Sequence, residues 1–401
     1  MKNFGKLSLK GSTHFEEKMT AVLNNISNDI ESSINPDYYK CVILIGGYGR
    51  GEGGVINIGN VEFPHNNLDF LIISKGINQN KEMKLRKDID QIISKNCSLL
   101  NIDFDLAIFS EMKLNLCEPL VITYDMRYGH KVISGDSKFL KNMCRFSLAN
   151  IPSWDIRNLM VNRGTLLTIN DLILSKNHHT MKEIKTVIKH WIKAIIGYGD
   201  ALLYYNGVYH YSYLEKKIRM SEQKNIDTSF KKLYDEAMNF RFEPNYERYL
   251  QLDLMQFQKE LKNTLQQIHL QCEIMALKDK DVKWVSYFET AVSSSFSQSK
   301  SLKAVLKQIK NLFLNTHTIK TLSLKNKVKT KMLGIRGTLP LIFPYVAFEV
   351  NDDKTLKILN DFFNTKAISE DSLKRQYLQY WGKYINTNFS LKLYDIEEDV
   401  S

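Results

Sequence analysis

The apolar residues of this chain follow two different patterns, and the change between them falls near residue 150. In the first part, the apolar run at residues 41–45 is typical of a buried strand, and a second apolar run at residues 68–73 predicts another strand. Residues 102–109, which alternate or run apolar, predict a third strand. Helical spacing predicts one helix that begins at Thr13, where Thr13 and Glu16 have capping-box spacing, and ends before Pro36. A second helical stripe lies at residues 85–93. This order of elements predicts a domain that combines a sheet with helices.

After Ser153, long amphipathic stretches replace the strands. They predict helices at residues 153–175, 181–205, 230–240, 246–277, 301–314 and 354–384, with breaks at Pro244, Pro340 and Pro344. We therefore expect an α+β protein with three domains. These are an N-terminal sheet domain (1–150), a helical domain (151–280) and a helical, lysine-rich domain (281–401).

The net charge of +11 is concentrated in one segment. No acidic residue occurs between Glu289 and Glu349, whereas ten basic residues lie there: Lys300, Lys303, Lys307, Lys310, Lys320, Lys325, Lys327, Lys329, Lys331 and Arg336. The first lysines have the spacing of one face of an amphipathic helix, and the alternating set from Lys325 to Lys331 would lie on one side of an extended segment. The segment from Lys300 to Arg336 thus predicts a local polyanionic partner, such as RNA.

Cysteine usage and hydropathy bear on the compartment. The five cysteines are scattered without a C-x-x-C pair, which is typical of reduced thiols. No apolar run approaches the length of a membrane span or a signal sequence. We therefore expect a cytoplasmic protein without a membrane partner.

The most specific chemical signal is a glycine-rich stretch, residues 44–54, that follows the first predicted strand. Gly46 and Gly47 allow the backbone to approach a phosphate closely, and Arg50 adds a fork-shaped donor. The next two predicted strands carry polar pairs two residues apart, Asn67 with Asp69 and Asp103 with Asp105, so each pair faces one side. Carboxylates set in apolar strands need a cation, which indicates a metal site.

These motifs, in this order, resemble those of the nucleotidyltransferase superfamily that contains polymerase beta. The residues within them are similar to those of the motifs in protein uridylyl- and adenylyltransferases. The resemblance covers roughly residues 40 to 136. It implies a mixed sheet with flanking helices, an NTP held at Gly46 and Gly47, and Mg²⁺ or Mn²⁺ held by acids at Asp69 and Asp105. Asp103 is the fallback for the last acid.

The chain departs from this family in two ways. The spacing between Gly47 and the metal-binding strand is long, so residues 53–62 are expected to form an extra hairpin or loop. The first acid of the family's D-x-D pair is Asn67, which brings an oxygen but no charge. Three alternatives follow: a variant that works with one metal or with Glu52 or Asp103 as substitute, a pseudoenzyme, or an engineered Asp→Asn change.

The resemblance further implies that a helical domain contributes a lysine and an aromatic hydroxyl to the nucleotide, for which Lys193 and Tyr213 are the candidates. The neighbouring tyrosines, such as Tyr209 and Tyr211, are interpreted as packing residues. The expected function is NMP transfer from an NTP to a hydroxyl of a protein side chain or an RNA 3′ end, with tRNA as one candidate. The alternative is a catalytically impaired protein that binds nucleotide or RNA without turnover.

Overall fold

The computed structural model describes residues 2–98, 101–298, 302–314, 319–350, 352–365, 369–394 and 396. Lys300 lies outside the described residues, and of Lys303 only the backbone is described. The chain forms two compact units. Unit 1 comprises Met1–Pro152 and Val208–Asn245, and unit 2 comprises Ser153–Gly207 and Tyr246–Ser401. The α+β class is confirmed.

Unit 1 is built on a mixed four-stranded sheet. Its strands, in the spatial order β5-β4-β1-β6, are β1 (Tyr39–Ile45), β4 (Leu68–Ser74), β5 (Phe104–Ser110) and β6 (Lys131–Gly135). β4 and β5 are parallel, whereas β1 is antiparallel to both of its neighbours. Between β1 and β4, β2 (Val55–Ile58) and β3 (Val61–Pro64) form a hairpin, as expected from the long spacing there.

The helices of unit 1 cover the sheet unequally. Helices α1 (Thr13–Ser33) and α3 (Gln79–Ser98) pack with β1 and β4 in one apolar core. The opposite face of these strands packs in a second, smaller core with α4 (Glu111–Leu116) and α5 (Val121–Tyr128). The unit is completed by α2 (Gly46–Arg50), α8 (Tyr213–Glu222) and α9 (Thr228–Phe242).

Unit 2 is helical in the residues that the structure describes. Its helices are α6 (Ser153–Leu174), α7 (Met181–Tyr205), α10 (Glu247–Leu250), α11 (Leu254–Leu277), α12 (Trp284–Gln298), α13 (Leu302–Leu314), α14 (Leu324–Ala347), α15 (Asp353–Phe363) and α16 (Glu370–Tyr384). None of the described helices has the length and apolar character that crossing a membrane requires.

Several expected boundaries differ from those observed. Ser12, not Thr13, caps α1, because its hydroxyl accepts from the Phe15 N–H. Pro340 and Pro344 lie inside α14, whose break falls instead at Gly334, with a φ of 69°. Each long stretch expected at residues 246–277 and 354–384 contains two helices, and Asp253 caps the second helix of the first stretch.

The expectation for the alternating lysines was wrong. Lys325, Lys327, Lys329 and Lys331 lie in α14 and not in an extended segment. At 3.6 residues per turn, Lys325 and Lys329 share one side of the helix, while Lys327 and Lys331 share another. The four ammonium groups therefore do not form a single row.

The two units also cut across the three consecutive domains expected from the sequence. The segment Val208–Asn245 belongs to the N-terminal unit, although it follows two helices of unit 2. No division falls near residue 280, because α11 packs against both α12 and α14. Packing between elements distant in sequence decides this arrangement, and local composition does not report it.

Candidate functional site

The acidic residues of unit 1 meet at the start of two parallel strands. Asp69 on β4 is the register partner of Asp105 on β5, so the two side chains lie on the same face of the sheet. The Asn67 Nδ2 atom donates to Asp105 Oδ2 at 3.2 Å. Asp103 lies two residues before Asp105, is exposed, and contributes its backbone carbonyl to the Leu68 N–H at 2.9 Å. The sequence-predicted polar pairs are therefore neighbours.

The glycine turn reaches the same place because β1 is antiparallel to β4. Ile45, the last residue of β1, is paired with Asp69. Gly46 has a φ of 71°, and a Cβ atom there would overlap the Asp69 carboxylate. Only glycine permits both this backbone conformation and this approach. The turn and the carboxylates thus form one corner, which we call the Gly46 corner: Gly46, Gly47, Asn67, Asp69 and Asp105.

The rest of the glycine-rich stretch serves packing. A Cβ at Gly53 would overlap the Tyr48 ring, whose hydroxyl donates to the Gly54 carbonyl at 2.6 Å. The Gly53 N–H donates to the Leu7 carbonyl at 2.9 Å, which ties the loop to the N-terminal segment. Only Gly46 and Gly47 of this stretch belong to the corner that holds the carboxylates.

Arg50, a predicted phosphate ligand, is engaged internally. Its Nη2 atom lies 2.6 Å from Asp125 Oδ2, its Nη1 atom donates to the Tyr213 hydroxyl at 3.1 Å, and its side chain is 8% exposed. Burial opposes the charge of Arg50, but the Tyr213 and Asp125 oxygens outweigh it, so the pKa of Arg50 is raised. Arg50 therefore orients its neighbours and does not extend toward solvent.

Glu52, an alternative metal ligand, is also committed elsewhere. Its carboxylate accepts from the Ser212 hydroxyl at 2.5 Å, the Tyr213 N–H at 2.7 Å and the Leu214 N–H at 3.3 Å. These donors form the start of α8. Glu52 thus fixes the glycine loop to α8, and substitution of a missing metal ligand by Glu52 does not fit this geometry.

Cations surround Tyr213 next to the Gly46 corner. The Arg241 guanidinium lies 4.0 Å, the Lys216 Nζ 4.5 Å and the Arg50 guanidinium 4.7 Å from the Tyr213 ring centroid. Burial raises the pKa of Tyr213, but these three cations outweigh burial and hold its pKa below the ordinary value. We call Tyr213 and these three cations the Tyr213 cluster.

Arg241 is the functional candidate that the sequence did not reveal. Its Nη2 atom lies 3.4 Å from the position a Cβ would take at Gly47. Its Nε atom is buried and has no hydrogen-bond partner within the part of the chain that the structure describes. Because Arg241 lies far from Gly47 in sequence, no motif spacing indicates their contact. Lys193, by contrast, is exposed on α7 of unit 2 and is not part of this cluster.

Two tyrosines that precede Tyr213 in the sequence make contacts within unit 1. Tyr209 is buried and donates to Asp125 Oδ1 at 2.9 Å, so it helps to hold the carboxylate that binds Arg50. Tyr211 stacks on Tyr128 with ring centroids 5.7 Å apart. Both contacts are internal to unit 1, which agrees with a packing role for these two residues.

The donor set bears on the metal. Two carboxylates and one amide suit a single Mg²⁺, which takes one or two protein carboxylates and completes its shell with water and substrate phosphates. Among the described residues, no group of three or more His, Cys, Asp or Glu side chains is arranged to hold a metal.

Comparison with protein-family models, with curated proteins and with solved structures found no match for this chain.

Proposed function

We propose that this protein is a nucleotidyltransferase that transfers NMP from an NTP to a hydroxyl acceptor. The observation that carries the proposal is the Gly46 corner, in which a positive-φ glycine contacts Asp69 beside its register partner Asp105. A phosphate chain needs close backbone approach, and its metal needs carboxylates at the same point. This corner combines the two.

Unit 1 offers charge complementarity to a triphosphate. The Tyr213 cluster gathers three cations around one ring, and Asp125 pairs with one of them, Arg50. Arg50 and Arg241 each have a buried Nε without a partner among the described residues, but the two Nη atoms of Arg50 are engaged by Asp125 and Tyr213. Arg241 Nη2 lies beside Gly47, which makes Arg241 the candidate for a phosphate oxygen. Arg50 and Tyr213 position Arg241 and do not bind the phosphate themselves.

The carboxylates supply the remaining chemistry. Mg²⁺ bound by Asp69, Asp105 and the Asn67 amide oxygen would neutralise phosphate charge and polarise the α-phosphate. The acceptor oxygen forms a bond to the α-phosphorus, the bond from that phosphorus to the bridging oxygen breaks, and pyrophosphate leaves with the electron pair. Asp105, exposed on the edge strand, takes the proton of the acceptor hydroxyl.

A second candidate function is binding of nucleotide without turnover. It is favoured by Asn67, whose amide bonds the Asp105 carboxylate without adding a negative charge. With one carboxylate fewer, metal affinity and the activation of the acceptor would both fall.

Transfer of label from α-labelled NTPs tests the proposal. The full chain is incubated with each NTP, Mg²⁺ or Mn²⁺, and protein and RNA from a cell extract. Protease or ribonuclease sensitivity of the labelled product then identifies the acceptor class. We expect transfer that is lost in Asp69→Asn and Asp105→Asn but retained in Asp103→Asn, the matched change just before β5.

Asn67→Asp separates the two candidates, with Asn60→Asp in the β2–β3 turn as the charge-matched control. Transfer only by the Asn67→Asp chain would favour binding without turnover for the present sequence. Nucleotide binding without transfer by either chain would rule out the enzyme. Absence of both binding and transfer would rule out both candidates.

A further inference from the structure

Helix α13 is oriented unusually, with polar residues facing the protein. Gln308 is buried, and the Asn311 Nδ2 atom donates to the carbonyls of Met332 at 3.0 Å and Leu333 at 3.3 Å. These carbonyls precede the break at Gly334, where α14 leaves them available. Asn311 therefore attaches α13 to α14 through hydrogen bonds.

The apolar side of α13 consequently faces outward. Its side chains recur at helical spacing on one face and are exposed: Val305 (39%), Leu306 (59%), Ile309 (45%) and Phe313 (80%). Single exposed apolar residues are ordinary, but a contiguous stripe on one helix indicates a binding surface. We call these four residues the α13 stripe.

Lysines flank the α13 stripe. Lys307 and Lys310 are exposed on the adjoining side of the same helix. At the start of α14, Leu324 and Val328 are exposed as well, and Lys325 lies between them. Because no acidic residue occurs between Glu289 and Glu349, no nearby carboxylate in the sequence neutralises these lysines. The surface joins aliphatic side chains to lysines that form no ion pair with the described residues.

This combination distinguishes between possible occupants. Nucleic acid would use the lysines, but it offers nothing to Leu306 or Ile309, since base stacking requires aromatic or guanidinium planes. A second copy of the chain would bring like charges together. An anionic lipid surface supplies both negative headgroups and an apolar boundary, which an amphipathic helix with lysines and a Leu, Ile and Phe stripe matches.

We propose that α13 binds the surface of an anionic lipid bilayer, with the α13 stripe in the acyl boundary and Lys307 and Lys310 at the headgroups. Surface binding requires no spanning helix, and it differs from the expectation, drawn from hydropathy, of a protein without a membrane partner. It is independent of the proposed transfer reaction, because it involves only residues of unit 2.

Vesicle co-sedimentation of the full chain tests this proposal. Vesicles of phosphatidylcholine alone are compared with vesicles that also contain phosphatidylglycerol. We expect binding to the anionic vesicles that weakens as salt rises. Ile309→Asp should lower this affinity about tenfold to a hundredfold, since burial of one Ile side chain in the acyl boundary is lost.

Two further variants complete the design. Ile122→Asp, at an isoleucine on α5 of unit 1 that is more exposed than Ile309, should bind vesicles as the unchanged chain does. Lys307→Gln with Lys310→Gln should reduce binding and its salt dependence. Circular dichroism confirms that each variant folds.

Three results would overturn the proposal. One is binding of equal strength to neutral and anionic vesicles, or no binding to either kind of vesicle. Another is tRNA binding that depends on the two lysines but not on Ile309, without vesicle binding, which would assign the surface to RNA. The third is a dimer in light scattering that Ile309→Asp dissociates, which would assign the surface to a second copy.

Discussion

The buried charges of the two units are organised differently. In unit 2, Arg157 binds Glu273 through two nitrogens, Nε and Nη2, each 2.6 Å from a carboxylate oxygen, and this pair is almost completely buried. In unit 1, the Tyr213 cluster gathers three cations beside a glycine turn. In the Arg157–Glu273 pair the two opposite charges bind each other. The Tyr213 cluster includes a buried Arg241 Nε without a partner among the described residues.

A second charge cluster in unit 2 is balanced in the same way. Lys262 and Lys374 each contact both Asp171 and Glu349 at distances from 2.6 to 3.0 Å, which makes a ring of two cations and two anions. A cavity of about 500 Å³ lies beside this ring. Because the charges of the ring satisfy each other, the cavity gains no net attraction for an ion from them.

This difference separates structural charges from charges that can receive a ligand. A buried ion pair with complete hydrogen bonding contributes conformational specificity, and removal of one partner is strongly destabilising. A buried donor without a partner among the described residues, such as the Arg241 Nε, costs free energy until a ligand supplies an acceptor. Substitution of the paired charges in unit 2 should therefore lower the free energy of unfolding. Substitution in the Tyr213 cluster of unit 1 should instead lower the affinity for an anion.

The largest expected effect is on stability in unit 2. Arg157→Met leaves the Glu273 carboxylate buried without its ion-pair partner, and we expect the free energy of unfolding to fall by about 3–5 kcal/mol. Urea unfolding followed by circular dichroism measures it. Adding Glu273→Gln should recover part of the loss. A fall below about 1 kcal/mol would contradict a structural role for the pair.

The corresponding change in unit 1 should affect binding. Arg241→Met removes a charged donor beside Gly47, so the affinity for Mg²⁺–NTP should fall about tenfold to a hundredfold. The free energy of unfolding should change by less than about 1 kcal/mol, because no ion-pair partner of Arg241 occurs among the described residues. Isothermal titration calorimetry measures the affinity.

Lys232→Met, which removes an exposed charge from the same helix, is the control for Arg241→Met. Equal affinity losses in the two variants would reduce the role of Arg241 to general electrostatic attraction. A large loss of stability in Arg241→Met alone would place Arg241 with the structural charges of unit 2.

Two glycines with positive φ test the Gly46 corner. Gly46 (φ 71°) and Gly59 (φ 61°) adopt similar backbone conformations, but a Cβ at Gly59 meets no atom within 4 Å, whereas one at Gly46 overlaps Asp69. Alanine at either position should cost about 1–2 kcal/mol of stability. Only Gly46→Ala should also abolish metal-dependent nucleotide binding. Unchanged nucleotide binding by Gly46→Ala would show that Asp69 does not take part in this binding.

The smallest effect concerns pH. Burial raises the pKa of Glu349, but hydrogen bonds from Lys262 and then Lys374 outweigh it and lower its pKa from 4.5 to about 2. A depressed carboxyl pKa stabilises the folded state above the unfolded value, and this stabilisation is lost as pH falls from 4.5 to about 2. The free energy of unfolding should therefore decline more steeply across this window than in Glu349→Gln. Parallel curves would show that the ring does not depend on the Glu349 charge.

Local patterns in the sequence determined the elements and the identity of the corner residues. The apolar runs of β1 and β4 could be recognised because both strands are buried and leave few polar positions, and Asp69 stands out within β4 for that reason. β5 is an edge strand with one exposed face, and Asp105 lies on that face. β6 was not predicted, since its short sequence is only partly apolar. The residue-by-residue roles in catalysis stay predictions.

Only the tertiary structure decided which charges meet. It brought Val208–Asn245 into unit 1, so that Arg241 lies beside Gly47, and it engaged Arg50 and Glu52 internally. It also placed the alternating lysines on a helix and directed the apolar side of α13 outward. Periodicity reports which face of an element is apolar, but the partner of that face is chosen by packing between segments far apart in the chain.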